Sequence, residues 1–125
     1  ESSPFITLGA HTQNHYSLGK IDFALAQEEI YKSVKEIRNH TTFRHLPFSY
    51  PFGGHSDCRD DLQKVFEKAG INAVFLNQFG ICQNHTNKLQ IPRILVRNLT
   101  GEEFGSFVNN LLSETVKIQS LVPEF

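Results

Sequence analysis

Short apolar runs alternate along this chain with longer segments of helical periodicity. Residues 5–8 form an apolar run that predicts a short buried strand entering a polar loop. In residues 22–38, apolar side chains recur at i, i+4 and i+7, at Ile30, Val34 and Ile37. Phe23 and Ala26 extend the same stripe toward the N-terminus. That spacing is typical of an amphipathic helix. Asp22 is suited to cap its N-terminus.

The same alternation continues through the middle of the chain. Residues 46–50 predict a second strand that ends at Pro51, since proline disfavours further pairing. Asp57 is expected to cap a second helix that ends just before Gly70, with four inward side chains, Leu62, Val65, Phe66 and Ala69. The continuous apolar run 73–76 predicts a strand covered on both faces.

The last third of the chain predicts one more strand and one more helix. Residues 89–96 are apolar but interrupted by Pro92, which favours an edge strand or a bend. Thr100 and Glu103 have the spacing of a capping box. They predict a helix over residues 101–112 whose core stripe is Phe104, Phe107, Val108 and Leu111.

Strands that alternate with amphipathic helices predict an α/β architecture with a mainly parallel sheet. We expect four or five strands and three main helices in a single domain, or part of one, over residues 1–125. The net charge of −1 and the lack of a basic run argue against a nucleic-acid partner. No apolar run approaches the roughly 20 residues that span a bilayer, so no membrane span is expected.

Cysteines and sequons add little to this prediction. Cys58 and Cys82 form no C-x-x-C pair, and either two thiols or a disulfide between loops is consistent with their spacing. Three N-x-T sequons begin at Asn39, Asn84 and Asn98. They matter only in a eukaryotic secretory pathway.

The loop after the first apolar run carries the most informative chemistry. His11 and His15 lie four residues apart, a spacing that on a helical turn places both imidazoles on one side. Imidazole suits zinc, cobalt or nickel better than calcium or magnesium. A catalytic zinc site uses about three protein ligands and keeps one position for water. The alternative is two histidines that are exposed or cap local structure, because H-x-x-x-H is frequent by chance.

Two stretches together resemble motifs of the polysaccharide deacetylase family, the NodB-like carbohydrate esterases. The stretch 9–15, Gly-Ala-His-Thr-Gln-Asn-His, followed by Leu18, is similar to the family's His-Ser/Thr-x-x-His motif. The stretch 49–53, Ser-Tyr-Pro-Phe-Gly, is similar to its later motif, usually Arg-x-Pro-Tyr followed by Gly. A predicted helix lies between them, and the resemblance covers about residues 6–112.

The resemblance implies a metal-dependent hydrolase that removes N-acetyl groups from amino sugars of a cell-envelope polysaccharide or oligosaccharide, on a distorted (β/α) barrel. It implies that His11 and His15 bind a divalent metal, most simply zinc, with cobalt or nickel as alternatives. The backbone N–H of Phe52 would stabilise the oxyanion, and Arg93 would orient the base. Tyr50 and Phe52 would line the substrate groove. An extracytoplasmic location follows from the family alone.

This sequence also departs from the family pattern. The aspartate motif that supplies the third metal ligand and the base is expected before residue 1. Because a partial barrel leaves strand edges exposed, we expect the chain to pack against a missing N-terminal segment or against a second copy. Ser49 replaces the usual Arg, and no Leu-x-His is present near the C-terminus. The alternatives are therefore a non-catalytic carbohydrate-binding or structural relic, or a hydrolase of non-sugar amides.

Two further features near the second motif have competing explanations. His55 directly follows Gly53 and Gly54, so it either contacts substrate in the cleft or is an exposed loop histidine. The acidic cluster Asp57, Asp60 and Asp61 is explained more simply by helix capping than by a metal site.

Overall fold

The computed structural model describes residues 5–121, with the side chains of residues 5–113. The chain separates into two compact units, residues 1–94 and 95–125. In the first unit lie the helices α1 (Phe23–Arg38) and α2 (Gln63–Ala69) and the strands β1 (Leu46–Ser49) and β2 (Ile71–Phe75). Three single 3₁₀ turns complete it: Leu18–Lys20, His55–Asp57 and Asp60–Leu62. The second unit contains α3 (Gly101–Leu121).

Strands β1 and β2 pair in parallel, with Phe48 opposite Val74. Isolated parallel bridges extend this pairing on both sides, from Ala10 to Phe48 and from Phe75 to Ile91. The four segments therefore lie side by side in sequence order, and helices α1 and α2 lie in the first two crossovers. The predicted α/β class is confirmed.

A single hydrophobic core lies between this sheet and its helices. From α1 it includes Ala26, Ile30 and Val34, as the periodicity predicts. The Asp22 carboxylate caps α1 by accepting a hydrogen bond from the Leu25 N–H at 2.9 Å. Three aromatic rings pack against one another in this core: Phe48 of β1, Tyr50 directly after β1 and Phe66 of α2, with ring centroids 5.1–5.7 Å apart.

The predicted buried strand over residues 5–8 is wrong. Phe5 is 95% exposed, and the pairing begins only at Ala10. The Ala10 N–H donates to Pro47 O, and the Ser49 N–H donates to Ala10 O. The next ladder bond toward the N-terminus would come from the N–H of residue 47, which proline lacks. The ladder therefore stops there.

The predicted strand over residues 89–96 is also wrong beyond its bridge at Ile91. The Ile91 N–H donates to Val74 O in β2, and Ile91 O accepts from the N–H of Leu76, the residue directly after β2. A continued ladder would bring the Arg93 N–H to Leu76 O. Instead that N–H donates to Gln78 O, and the Arg93 Nε donates to Leu76 O at 2.8 Å. A side chain thus replaces the backbone donor directly after Pro92.

Helix α2 begins five residues later than a cap at Asp57 predicts. Asp57 instead ends the 3₁₀ turn His55–Asp57, and its carboxylate accepts from the N–H of the N-cap residue, Gly54. Arg59 keeps an extended backbone between the two 3₁₀ turns (φ −141°, ψ 131°). The buried Tyr50 hydroxyl holds it there, donating to Arg59 O at 3.2 Å and accepting from the Arg59 N–H at 3.4 Å. The end of α2 is as predicted, because Gly70 adopts the left-handed conformation (φ 76°) of a C-terminal cap.

Helix α3 begins where the capping box predicts. The Thr100 N–H donates to the Glu103 carboxylate at 2.7 Å, and the Glu103 N–H donates to Thr100 Oγ1 at 3.3 Å. Hydrogen bonds to the Glu103 carboxylate from the Thr100 N–H, followed by the Thr100 hydroxyl, lower the pKa of Glu103. The predicted stripe does not form a core within the described residues, because Phe104 is 44% exposed and its companions are only half-buried. The helix also extends past residue 112, to Leu121.

Cys58 and Cys82 are both free thiols. The Cys58 thiol donates to Gly54 O, and burial raises its pKa to about 11, so it is neutral near pH 7. Across the described part of the chain, none of the helices combines the length and apolar character that crossing a bilayer requires.

Candidate functional site

The two histidines of the 11–15 loop meet although the loop is not helical. Their ring centroids lie 4.9 Å apart in an edge-to-face arrangement. Thr12 (φ 61°) and His15 (φ 59°) are both in the left-handed region, which non-glycine residues rarely adopt. With two such residues, the loop does not follow a helical path, so the two imidazoles come together on an irregular loop and not on a helical turn. Strain of this kind is characteristic of functional sites.

A backbone carbonyl fixes the orientation and tautomer of His11. Its Nδ1 lies 2.7 Å from Ser49 O, at the end of β1. A carbonyl oxygen can only accept, so Nδ1 carries the proton and the Nε2 of the neutral ring keeps its lone pair. Metal-binding histidines are commonly held by this type of bond.

A buried carboxylate on α1 anchors the histidine loop. Glu29 is 1% exposed, and its two oxygens accept from the N–H and the side-chain amide of Asn14 at 2.7 and 2.6 Å. Asn14 directly precedes His15, so Glu29 sets the position of the second imidazole. Sequence reasoning missed this pair. The available indication was a charged residue three positions after Ala26 and four before Ser33, on the buried face of α1.

The second motif forms a tight turn beside His15. The Gly53 N–H donates to Pro51 O at 2.7 Å, which closes a three-residue turn with Phe52 at its centre (φ 62°). Such turns are rare and strained. The Phe52 ring is 59% exposed and lies 5.0 Å from the His15 ring. Among the described residues the Phe52 N–H has no hydrogen-bond acceptor, as an oxyanion donor requires.

Asp57 connects the two loops. Its carboxylate accepts from the Ser17 hydroxyl (2.6 Å), from Lys20 Nζ (3.0 Å) and from the Gly54 N–H (3.1 Å). Ser17 and Lys20 follow the histidines, whereas Gly54 belongs to the second motif. The Ser17 hydrogen bond, followed by that of Lys20, holds the pKa of Asp57 below its ordinary value.

We expect Asp57→Asn to cost about 2–3 kcal/mol of stability at pH 7, because one amide oxygen cannot accept all three bonds. The folded-state pKa is lowered, so this contribution is fully present above the unfolded pKa near 4 and is lost as pH falls through the folded value. Urea unfolding of both proteins between pH 7 and pH 2.5 measures it. The difference should shrink below about pH 4; a pH-independent difference would contradict the ionic connection.

Arg93 lies at the end of β2. It is linked to the second motif only indirectly, through backbone groups of residues 76 and 77. Its Nε donates to Leu76 O, and the next residue, Asn77, donates its N–H to Gly53 O at 2.9 Å. Arg93 therefore braces the segment on which the Gly53 turn rests. That Arg93 orients a catalytic base remains a prediction.

Tyr50 and His55 line a cavity of about 590 Å³ next to α2. Tyr50 is 3% exposed and belongs to its floor, and burial raises the pKa of its hydroxyl. His11, His15 and Phe52 are not among the lining residues. The structure thus brings His11, His15 and Phe52 into one cluster and places Tyr50 and His55 in a neighbouring cavity.

The histidine cluster fits part of a metal site. His11 offers a lone pair at Nε2, and the adjacent Thr12 Oγ1 is buried without a hydrogen-bond partner among the described residues. Among the side chains of residues 5–113, no group of three His, Cys, Asp or Glu is placed to hold a metal ion. His11 and His15 remain the two candidate nitrogen ligands of the predicted metal site.

Comparison with known proteins gives no match to a family model, a curated protein or a solved structure.

Proposed function

We propose that this chain is part of a metal-dependent deacetylase that acts on N-acetylated amino sugars of a cell-envelope glycan. The observation that carries the proposal is the cluster of His11, His15 and Phe52, because the two stretches of the family resemblance meet in it. The parallel segments in sequence order support a partial (β/α) barrel, with the cluster at the carboxyl ends of the strands, where such folds place their sites.

In this proposal, His11 and His15 hold a divalent metal, most simply zinc. Such an ion supplies a water of lowered pKa and polarises the amide carbonyl. The Ser49 carbonyl fixes the His11 ring, and Glu29 fixes His15 through Asn14. The Phe52 N–H donates to the carbonyl oxygen as negative charge develops on it, and the strained turn keeps that donor preorganised.

The third ligand and the general base belong, in this proposal, to an aspartate motif that precedes residue 1. Residues 1–125 alone are then expected to bind zinc weakly and to lack activity. Binding should weaken further as the pH is lowered, since a protonated imidazole cannot act as a ligand.

We expect His11→Ala and His15→Ala each to lower zinc affinity at least about 100-fold. Loss of a residue that only hydrogen-bonds a metal ligand already lowers metal affinity about 10–100-fold, and loss of the ligand itself should lower it at least as much. Calorimetric zinc titration of the full-length protein measures this. Release of acetate from an N-acetylglucosamine oligomer measures the activity, which should be lost in both variants. His85→Ala is the control, since His85 is an exposed loop histidine.

Unchanged zinc affinity and stoichiometry in both variants would overturn the metal site and the deacetylase proposal with it. Zinc binding without acetate release, but with release of another acid from a non-sugar amide, would favour the amidohydrolase alternative. A protein that binds the oligomer without zinc and without hydrolysis would favour the carbohydrate-binding relic.

A further inference from the structure

The cavity beside α2 results from an unusual crossover. Chain segments 10–46 and 49–71 each place a helix against the sheet before the next parallel segment. The crossover from β2 to Ile91, residues 76–90, contains no helix. A loop cannot fill the volume that a packed helix would occupy, so a cavity of about 590 Å³ remains open beside Phe66 and Leu76. This volume is within the range of small-molecule sites.

Four side-chain amides line this cavity: Gln63, Gln78, Asn87 and Gln90. All four keep polar atoms for a ligand within the described residues. Gln63 and Gln90 use only their amide N–H groups, which donate to Glu67 and Asp60. The Gln78 side chain makes no hydrogen bond within the described residues, and Asn87 uses only its oxygen, which accepts from the Leu89 N–H at 2.9 Å. An amide offers both a donor and an acceptor at one point, which matches a hydroxyl group that also does both.

The positive charge of Arg59 in the cavity wall is already paired. The Arg59 guanidinium forms a two-point pair with Asp61, at 2.9 and 2.7 Å, and donates a third bond to Ile21 O. Asp60 accepts from the Gln90 amide at 2.9 Å, which joins the two sides of the cavity. An anionic ligand would find the Arg59 charge already paired, and desolvating that ligand would be costly. The Asp60 carboxylate keeps lone pairs that can accept hydrogen bonds from hydroxyl groups. A neutral ligand rich in hydroxyl groups satisfies the same surface.

We propose that this cavity binds a neutral sugar unit, separately from the histidine cluster. The side-chain amides of Gln78 and Asn87 and the imidazole of His55 bind its hydroxyl groups. The ring of Phe66 in the floor provides apolar surface for its carbon skeleton. The site does not depend on the proposed deacetylase activity, because Gln78, Asn87 and Phe66 have no role in that proposal and lie outside the cluster of His11, His15 and Phe52.

The test is a ¹H–¹⁵N NMR titration of the full-length protein with D-glucose and, separately, with N-acetyl-D-glucosamine. We expect saturating shifts of the side-chain amides of Gln78, Asn87 and Gln90, with a dissociation constant of order 1 mM for at least one sugar, as a few neutral hydrogen bonds provide. Gln78→Leu keeps the side-chain size but removes both polar atoms, and it should weaken binding about three- to tenfold.

Two controls make the outcome specific. Asn84→Ala removes an exposed amide from the same loop without touching the cavity lining and should leave affinity unchanged. His11→Ala should also bind sugar normally, even where it abolishes zinc binding, so failure of this inference and of the deacetylase proposal are distinguishable. Absence of cavity shifts up to about 100 mM sugar, equal affinity in Gln78→Leu, or loss of sugar binding in His11→Ala would overturn the inference.

Discussion

Gly19→Ala is expected to destabilise the protein by about 3 kcal/mol and to separate the two loops of the candidate site. A β-carbon at residue 19 would lie 2.9 Å from the Ser56 carbonyl carbon and 3.0 Å from that of Asp57, and would contact Ser56 O even more closely. These are backbone atoms, so no rotamer change relieves the clash. For a chain of this length the midpoint of thermal unfolding should fall by roughly 10–15 °C.

The matched control is Gly105→Ala in α3. A β-carbon there meets no atom within 4 Å. Alanine is favoured over glycine inside a helix by about 0.5–1 kcal/mol, so this variant should be slightly more stable than the wild type. In differential scanning calorimetry, the two variants should shift the midpoint of unfolding in opposite directions. A Gly19→Ala protein as stable as the wild type would show that the histidine loop and the Ser56 turn do not touch.

Glu29→Gln is expected to cost about 2–3 kcal/mol and to release the histidine loop. The two carboxylate oxygens of Glu29 both accept from Asn14. A glutamine can accept at only one of these points and presents an N–H group to the other donor. One Asn14 donor is then left unpaired against a buried side chain. Urea unfolding measures the stability, and zinc titration of the full-length protein should show a loss of about 10–100-fold, as for other supporting groups.

Glu28→Gln is the control on the same helix. Glu28 is half exposed and forms only an i,i+4 ion pair with Lys32, so its loss should change stability by less than about 0.5 kcal/mol. Equal effects of the two substitutions would mean that Glu29 acts only as a surface charge. A destabilised Glu29→Gln protein that keeps wild-type zinc affinity would show that Glu29 stabilises the fold without positioning His15.

Two prolines show where local sequence patterns stop being informative. Pro47 and Pro92 both lie within predicted strands, and the sequence pattern indicates a bend only at Pro92. Which ladder bond Pro47 removes depends on its register opposite residues 8–10, and no local pattern contains that register. The substitution of the Arg93 guanidinium for a strand N–H likewise depends on where Leu76 O points.

The sequence by itself determined the features whose interactions are local. The Asp22 cap, the buried stripe of α1, the Gly70 C-cap and the Thr100–Glu103 box all join residues within about one or two helical turns. Local sequence also identified the two stretches that carry the candidate chemistry. Only the tertiary structure decided how these stretches meet: His11 with Ser49, His15 with Phe52, and Asp57 with Ser17 each join positions far apart in the chain. Helix α1 lies between the two partners of each contact, so their geometry depends on how that crossover packs in the folded core.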